Sequence, residues 1–104
     1  MTDARALADR HAILNVLATH SRGVDRADAN LLGSAYHPDA TVDYGFFAGP
    51  AATLAEILAD ALKAAPPTAH RTGNCEIHVD GNRAAAESYV IAYSEETAVQ
   101  RMIF

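Results

Sequence analysis

The feature that most constrains this chain is a pair of long strand-like segments joined by Asp80 and Gly81. The segments run from His70 to Val79 and from Arg83 to Ser94, and side-chain character alternates along much of both. An Asp-Gly pair between two such segments is a strong signal for a two-residue hairpin turn of type I′. The sequence therefore predicts a long antiparallel hairpin whose buried face must be covered by other parts of the chain.

A turn at these two residues predicts a register in which Val79 pairs with Asn82 and His70 pairs with Ile91. One face is then mostly small and apolar; it carries Cys75, Ile77, Val79, Ala84, Ala86, Val90 and Ala92. His70 falls on the opposite, polar face, although the apolar face is the natural one to pack against helices. His70 can reach an enclosed space in two ways: either the polar face lines that space, or a bulge near Gly73 changes the register.

Three helical segments are predicted before the hairpin. The first runs from Arg5 to Gly23, where apolar residues recur every three or four positions and place one histidine on the same face. That face consists of Ile13, Val16, Leu17, His20 and Val24. A second, short helix follows Asp28 as its N-cap and turns Tyr36 inward. It must stop near His37, because the next residue is a proline.

A short strand and the third helix complete the segment before the hairpin. Residues 40–44 alternate and predict the strand. The helix has two possible starts: a capping box from Thr53 to Glu56, or a slightly earlier first turn after Pro50. Pro66 and Pro67 end it. Helices followed by a long antiparallel hairpin indicate an α+β fold.

Length, charge and composition restrict the classes of function. The chain has 104 residues, which fit a single domain spanning residues 1–104. Its 13 acidic and 8 basic residues give a formal net charge of −5, so nothing electrostatic favours nucleic acid or an anionic membrane as partner. With no signal peptide or membrane-spanning run, a cytoplasmic protein is expected. Without a phosphate loop, a nucleotide motif or a metal-ligand spacing, we expect no cofactor and no metal.

Three stretches carry a resemblance to a known family: HSRGVDRAD at residues 20–28, HPDATVDYG at residues 37–45, and residues 70–89, which run from HRTGN to AESY. Together they resemble the SnoaL-like branch of the nuclear transport factor 2-like superfamily, which includes relatives of scytalone dehydratase and bile-acid dehydratase. The resemblance implies a cone-like fold, with three N-terminal helices on a curved antiparallel sheet around a deep pocket. The family's last strands are shortened here, so either residues 98–104 complete a sheet edge or the sequence is a C-terminally truncated domain.

The same resemblance implies four catalytic residues. His70, Asp25 and Tyr44 match a histidine, an aspartate and a tyrosine that meet in the pocket of the dehydratase relatives, and His20 stands where those relatives have a tyrosine. His70 would act as general base and acid with Asp25 as its orienter, while Tyr44 and His20 would donate to a carbonyl. Substrate-binding positions are expected at Asn74, Glu87 and Tyr89. Each position also has a structural interpretation, such as a packed core histidine or a solvated carboxylate in a turn.

The function that the resemblance implies is cofactor-free acid–base chemistry on a polycyclic or alicyclic carbonyl compound of steroid or polyketide type. Dehydration is the first expectation, with isomerisation or cyclisation next to it. The alternative is a non-catalytic module of the same fold that binds a small ligand or dimerises. A homodimer formed through the sheet is expected from the resemblance as well.

Overall fold

The computed structural model describes residues 3–94 and 100–103. Its elements in chain order are α1 (Ala4–Asp25), α2 (Ala29–Gly33), β1 (Thr41–Asp43), β2 (Ala48–Pro50), α3 (Ala51–Lys63), β3 (Thr68–Asp80), β4 (Arg83–Ser94) and β5 (Gln100–Ile103). The strands form a two-stranded sheet, β1-β2, and a three-stranded sheet in the order β3-β4-β5, with every pairing antiparallel. The predicted α+β fold is confirmed. The final strand is present as β5 on β4, while Ala98 and Phe104 lie outside the described residues.

Helix α1 is longer than the sequence predicted. It begins at an N-cap, Asp3, whose carboxylate accepts the Ala6 N–H at 2.8 Å, and it continues past Gly23 to Asp25. A Cβ added at Gly23 would lie 2.6 Å from both the Cα and the N of Leu32. Glycine is therefore retained inside the helix because α1 and α2 cross there backbone to backbone. No helix in the described ranges is both long and apolar enough to cross a membrane.

The end of α1 is closed by a Schellman motif that leads directly into α2. The Asp28 N–H donates to the Gly23 carbonyl and the Ala27 N–H donates to the Val24 carbonyl, both at 3.0 Å. Ala27 takes the left-handed conformation that this motif requires, with φ 50°. Asp28 then caps α2 as predicted, since its carboxylate accepts the Leu31 N–H at 3.0 Å. The short connection lets Val24 at the end of α1 join Leu32 of α2 in the buried core.

The start of α3 follows the earlier of the two predicted options. Pro50 is the N-cap residue and Ala51 is already helical, so Thr53 and Glu56 lie inside the helix and form no capping box. The Ala51 N–H donates to the Ala40 carbonyl at 2.9 Å, so the residue just before β1 satisfies this first amide. Helix α3 then packs onto α1 and α2 through a small core in which Val24, Leu32 and Ala55 are buried.

The hairpin is where the predicted register is wrong. Asp80 pairs with Arg83, so the turn residues are Gly81 and Asn82 rather than Asp80 and Gly81. Gly81 has φ 61° and occupies the first turn position, where a type II′ turn favours glycine. Val79 consequently pairs with Ala84 instead of Asn82.

A bulge then changes the register along β3. Thr72 pairs with Val90 and Cys75 pairs with Ser88, so the two residues at 73 and 74 oppose Tyr89 alone. Because side chains alternate between faces, this extra residue moves His70 and Thr72 onto the face that carries Cys75 and Ile77 beyond the bulge. The second of the two predicted routes for His70 is therefore the one observed.

The crossing of α1 and α2 yields a stability prediction. We expect Gly23→Ala to lower the free energy of unfolding by about 2 kcal/mol or more, because the new methyl group cannot fit against the Leu32 backbone. The matched control is Gly33→Ala, whose Cβ would lie 3.9 Å from the Ala55 Cβ, an ordinary contact. Urea denaturation of both variants measures the difference. Equal stabilities would contradict the close crossing.

Candidate active site

A cavity of about 900 Å³ lies between the three helices and the β3-β4 face. Most of its wall is apolar; the larger aliphatic contributors are Val16, Leu17, Val24, Leu58, Leu62 and Val90. A volume of this order suits a small organic molecule of several rings. Two groups of polar side chains with titratable members lie at the cavity, one at the start of β3 and one where α1 meets the segments that follow α2 and β1.

The first group is built on Asp25 and His70. Oδ1 of Asp25 lies 2.6 Å from Nδ1 of His70, and Oδ2 accepts the backbone N–H of His70 at 3.0 Å. The Thr68 hydroxyl also donates to Oδ1 at 3.0 Å. The Asp25 and His70 side chains are only 25% and 16% exposed, so the pair is largely removed from water. These hydrogen bonds join the last residue of α1 to the first residues of β3.

The protonation pattern of His70 follows from its partner. An ionised carboxylate can only accept, so Nδ1 of the neutral ring carries the proton and Nε2 keeps its lone pair. Among the described residues, none forms a hydrogen bond with Nε2 of His70. Since the imidazole lines the cavity, it can accept a proton from a bound molecule while Asp25 stabilises the resulting cation.

The second group brings together His20, Tyr36 and Tyr44. Nε2 of His20 lies 3.0 Å from the Tyr36 hydroxyl and 3.1 Å from the Tyr44 hydroxyl, and the two hydroxyls are 2.7 Å apart. The rings of His20 and Tyr36 also meet edge to face, with centroids 5.7 Å apart. Three polar atoms thus form a closed triangle in the cavity wall, and each can exchange protons with the other two.

The environment of this triangle favours its neutral form. Burial, followed by the charge of His70, lowers the pKa of His20. Burial, followed by the hydrogen bond and charge of Tyr44, raises the pKa of Tyr36. A neutral His20 imidazole beside a protonated Tyr36 phenol is therefore the expected state near neutral pH, and these two groups can donate hydrogen bonds without carrying charge.

Two residues of the site were not predicted to act there. Tyr36 was expected to face inward from the second helix, but nothing assigned it a partner; its signal was a hydroxyl on a buried face, which needs a hydrogen bond. Thr68 was missed because the strand was expected to begin at His70, whereas β3 begins two residues earlier. In a strand, residues 68 and 70 share a face, so the longer strand explains why both reach Asp25.

The three positions expected to bind substrate from the hairpin do not line the cavity. Asn74 belongs to the bulge, Glu87 lies opposite Glu76 in the strand register, and Tyr89 lies opposite the bulge. All three residues are exposed. The physical reason is the register, because they were assigned to the face of His70 by a count that lacked the bulge. Ser88, Val90 and Ala92 of β4 line the cavity instead.

Within residues 3–94 and 100–103, no group of three or more His, Cys, Asp or Glu side chains is arranged to hold a metal ion. The titratable groups are paired with each other, as the Asp25 and His70 contact illustrates.

Comparisons with known proteins agree with this architecture. The sequence profile of the SnoaL-like domain matches residues 5–103. None of the curated proteins compared with the chain is a significant match.

Three solved structures share the fold at low sequence identity. A provisionally assigned scytalone dehydratase from Novosphingobium aromaticivorans superposes with a TM-score of 0.75 at 19% identity, covering 93% of this chain and 69% of that one. A protein from Kribbella flavida gives 0.77 at 18% identity, covering 94% and 76%. An NTF2-like protein with a cystatin-like fold, also from Novosphingobium aromaticivorans, gives 0.66 at 23% identity, covering 99% and 76%.

The lowered pKa of His20 predicts a pH dependence of stability. In the unfolded chain His20 titrates near its ordinary pKa of 6.5, whereas in the folded chain it resists protonation. The unfolded state then binds more protons, so the folded state loses stability as the pH falls below 6.5. His20→Gln removes this contribution, and its free energy of unfolding should fall less steeply with acidification than that of the wild type.

Denaturant unfolding at a series of pH values from 8 downward measures the two slopes. His11→Gln is the matched control, because His11 is exposed on the same helix. Parallel curves for the wild type and His20→Gln would contradict the assignment.

Proposed function

Because the chain belongs to the SnoaL-like domain family of the nuclear transport factor 2-like superfamily, we propose that it is a cofactor-free acid–base enzyme for alicyclic or polycyclic carbonyl compounds. The reaction we favour is dehydration of a β-hydroxy ketone, with isomerisation or cyclisation as variants that start with the same proton transfer. The observation that carries the proposal is His70, which lines an apolar cavity while its Nδ1 lies 2.6 Å from Oδ1 of Asp25 behind it.

The proposed reaction begins at Nε2 of His70. This nitrogen removes a proton from the carbon next to the carbonyl, and the electron pair moves into the carbonyl to give an enolate. Asp25 stabilises the imidazolium that forms. The enolate then expels the β-hydroxyl group as the imidazolium returns its proton to the leaving oxygen, so that water and a conjugated ketone are the products. One histidine thus serves as base and acid in turn.

The developing negative charge on the carbonyl oxygen needs a donor on the other side of the substrate. The tyrosine pair supports this role, because Tyr36 and Tyr44 line the cavity and their hydroxyls are 2.7 Å apart. An apolar wall strengthens such a hydrogen bond by excluding competing water. The provisional assignment of one similar structure as a scytalone dehydratase supports dehydration over the other variants.

The first step alone can be tested without the natural substrate. We expect the wild-type protein to accelerate deuterium incorporation next to the carbonyl of 2-tetralone in D₂O, followed by proton NMR. His70→Gln should reduce this rate by about 100-fold or more, because the base is lost while the shape is nearly kept.

The matched control for this exchange is His78→Gln. His78 is on the same strand but exposed, and its Nε2 lies 3.3 Å from Oε1 of Glu76, outside the cavity. Binding of 2-tetralone without any exchange above buffer would contradict the catalytic proposal and favour a non-catalytic binding module instead.

We also propose that two copies associate through the outer face of the β3-β4 sheet. Tyr89 and Ile91 are exposed there, 56% and 40% respectively. Arg71, which pairs with Ile91, and Glu87 lie on the same face, so a two-fold arrangement can bring opposite charges together across the interface.

Sedimentation velocity tests this association. The wild type is expected to sediment as a dimer and Ile91→Glu as a monomer, since a carboxylate at the centre of the patch disfavours its burial. Val79→Glu is the matched control, because Val79 is 43% exposed on the other face near the turn. A wild type that remains monomeric at all concentrations would contradict the proposal.

A further inference from the structure

The hydrogen bonds among His20, Tyr36 and Tyr44 cannot all point in arbitrary directions. Each phenol has one proton, and a neutral imidazole carries one proton on either Nδ1 or Nε2. The hydroxyl separation of 2.7 Å is that of a hydrogen bond, so one phenol proton is committed to the contact between the tyrosines. Only the second phenol proton remains for another partner.

The tautomer of His20 decides where that second proton goes. If Nε2 lacks a proton, it can only accept, and the remaining phenol proton is drawn to it, at 3.0 or 3.1 Å. The triangle then offers a ligand no proton. If Nε2 carries the proton, the imidazole donates into the tyrosine pair and one phenol proton is released toward the cavity. Only the second arrangement can donate a hydrogen bond to a carbonyl ligand.

The packing indicates which tyrosine is the outer one. Tyr36 packs against the buried core of Val24, Leu32 and Ala55, and its ring is held edge to face by His20. Tyr44 follows β1 and its ring neighbours Phe46, which is 73% exposed. Tyr36 is therefore the inner member of the pair and Tyr44 the member nearer the opening.

We propose that His20 in its Nε2–H tautomer and Tyr36 form a one-way hydrogen-bond chain that presents the Tyr44 hydroxyl proton to a ligand oxygen. The order is Nε2–H of His20 to the Tyr36 oxygen, Tyr36 hydroxyl to the Tyr44 oxygen, and Tyr44 hydroxyl to the ligand. Tyr36 is thus a positioning residue. The inference deepens the proposed function and rests on it, and it narrows the ligand to molecules with an acceptor-only oxygen here, such as a ketone or its enolate.

The electrostatics agree with this direction. Burial and the neighbouring Tyr44 raise the pKa of Tyr36, so Tyr36 stays protonated and can donate its hydrogen bond to the Tyr44 oxygen. His20, whose pKa is lowered by burial and by His70, stays neutral near pH 7. Protonation of His20 at low pH leaves Nε2–H in place, so the direction of the chain survives acidification.

The first test reads the tautomer directly in the wild-type protein. Long-range proton–nitrogen correlation spectra at pH 8 distinguish a protonated from an unprotonated ring nitrogen, and the signals of His20 are those missing in His20→Gln. We expect Nε2 of His20 to carry the proton. A spectrum with the proton on Nδ1 of His20 overturns the proposal. The test does not depend on the catalytic activity of any variant.

The second test uses two probes of nearly equal shape, 2-acetylnaphthalene and 2-ethylnaphthalene. The carbonyl stretch of the bound ketone should shift to lower frequency in the wild type, because a hydroxyl donates to it. Tyr44→Phe should abolish this shift and weaken ketone binding about five- to tenfold, while binding of the hydrocarbon is unchanged. The hydrocarbon is thus the control for folding and for cavity shape.

Tyr36→Phe distinguishes the positioning role from a purely structural one. It should reduce the shift only partly, because Nε2 of His20 lies 3.1 Å from Tyr44 and can donate to it directly. The opposite ranking, with Tyr36→Phe abolishing the shift and Tyr44→Phe sparing it, overturns the order of the chain. The carbonyl shift reports the hydrogen bond alone and needs no proton removal by His70, so a failure here is separate from a failure of exchange at His70.

Discussion

The hydrogen bonds of the Asp25 carboxylate are the interactions on which the rest of this structure depends. It receives the imidazole Nδ1–H of His70, the backbone N–H of the same residue and the Thr68 hydroxyl. One side chain at the end of α1 therefore fixes both the position of β3 and the tautomer of the histidine that β3 carries. The contacts of Asp25 that hold β3 against α1 therefore also leave Nε2 of His70 able to accept a proton.

The two histidines of the cavity divide the chemistry between them. Burial and, after it, the charge of His70 lower the pKa of His20, so a cationic His20 beside a cationic His70 is disfavoured. His70 is paired with a carboxylate, whereas His20 is within hydrogen-bond distance of two phenol hydroxyls. A neutral His20 therefore keeps a hydrogen-bond donor at this wall, and in the proposed chain Tyr36 links it to Tyr44.

The sequence predicts the elements well and their alignment less well. The hairpin, the Asp28 cap and the inward face of α1 follow from local patterns, and all are observed. The turn shifted by one residue because Gly81 takes the first turn position, and local propensity does not distinguish that from the Asp80 alternative. A register counted from the turn carries such an error along the whole strand.

The candidate site shows the same division. Family resemblance indicated Asp25, Tyr44, His70 and His20. The structure places the last three on one cavity wall and hydrogen-bonds Asp25 to His70, while their catalytic roles stay predictions. Tyr36 was beyond reach because its partner His20 is 16 residues away and its role depends on how α1 crosses the α2 region. Asn74, Glu87 and Tyr89 were assigned by alternation alone, which holds only where a strand is regular.

Because of the bulge at residues 73 and 74, the side chains that β3 turns toward the cavity depend on whether the strand gains or loses an odd or an even number of residues. Strand β4 alternates without interruption, but β3 exchanges its inward and outward positions at this point, so the two halves of β3 carry opposite numbering on one face. A deletion of one residue at the bulge would turn either His70 or the Cys75 half to the other side of the sheet. Natural length variation in this hairpin should therefore be tolerated in steps of two residues, and single-residue changes should be confined to the turn.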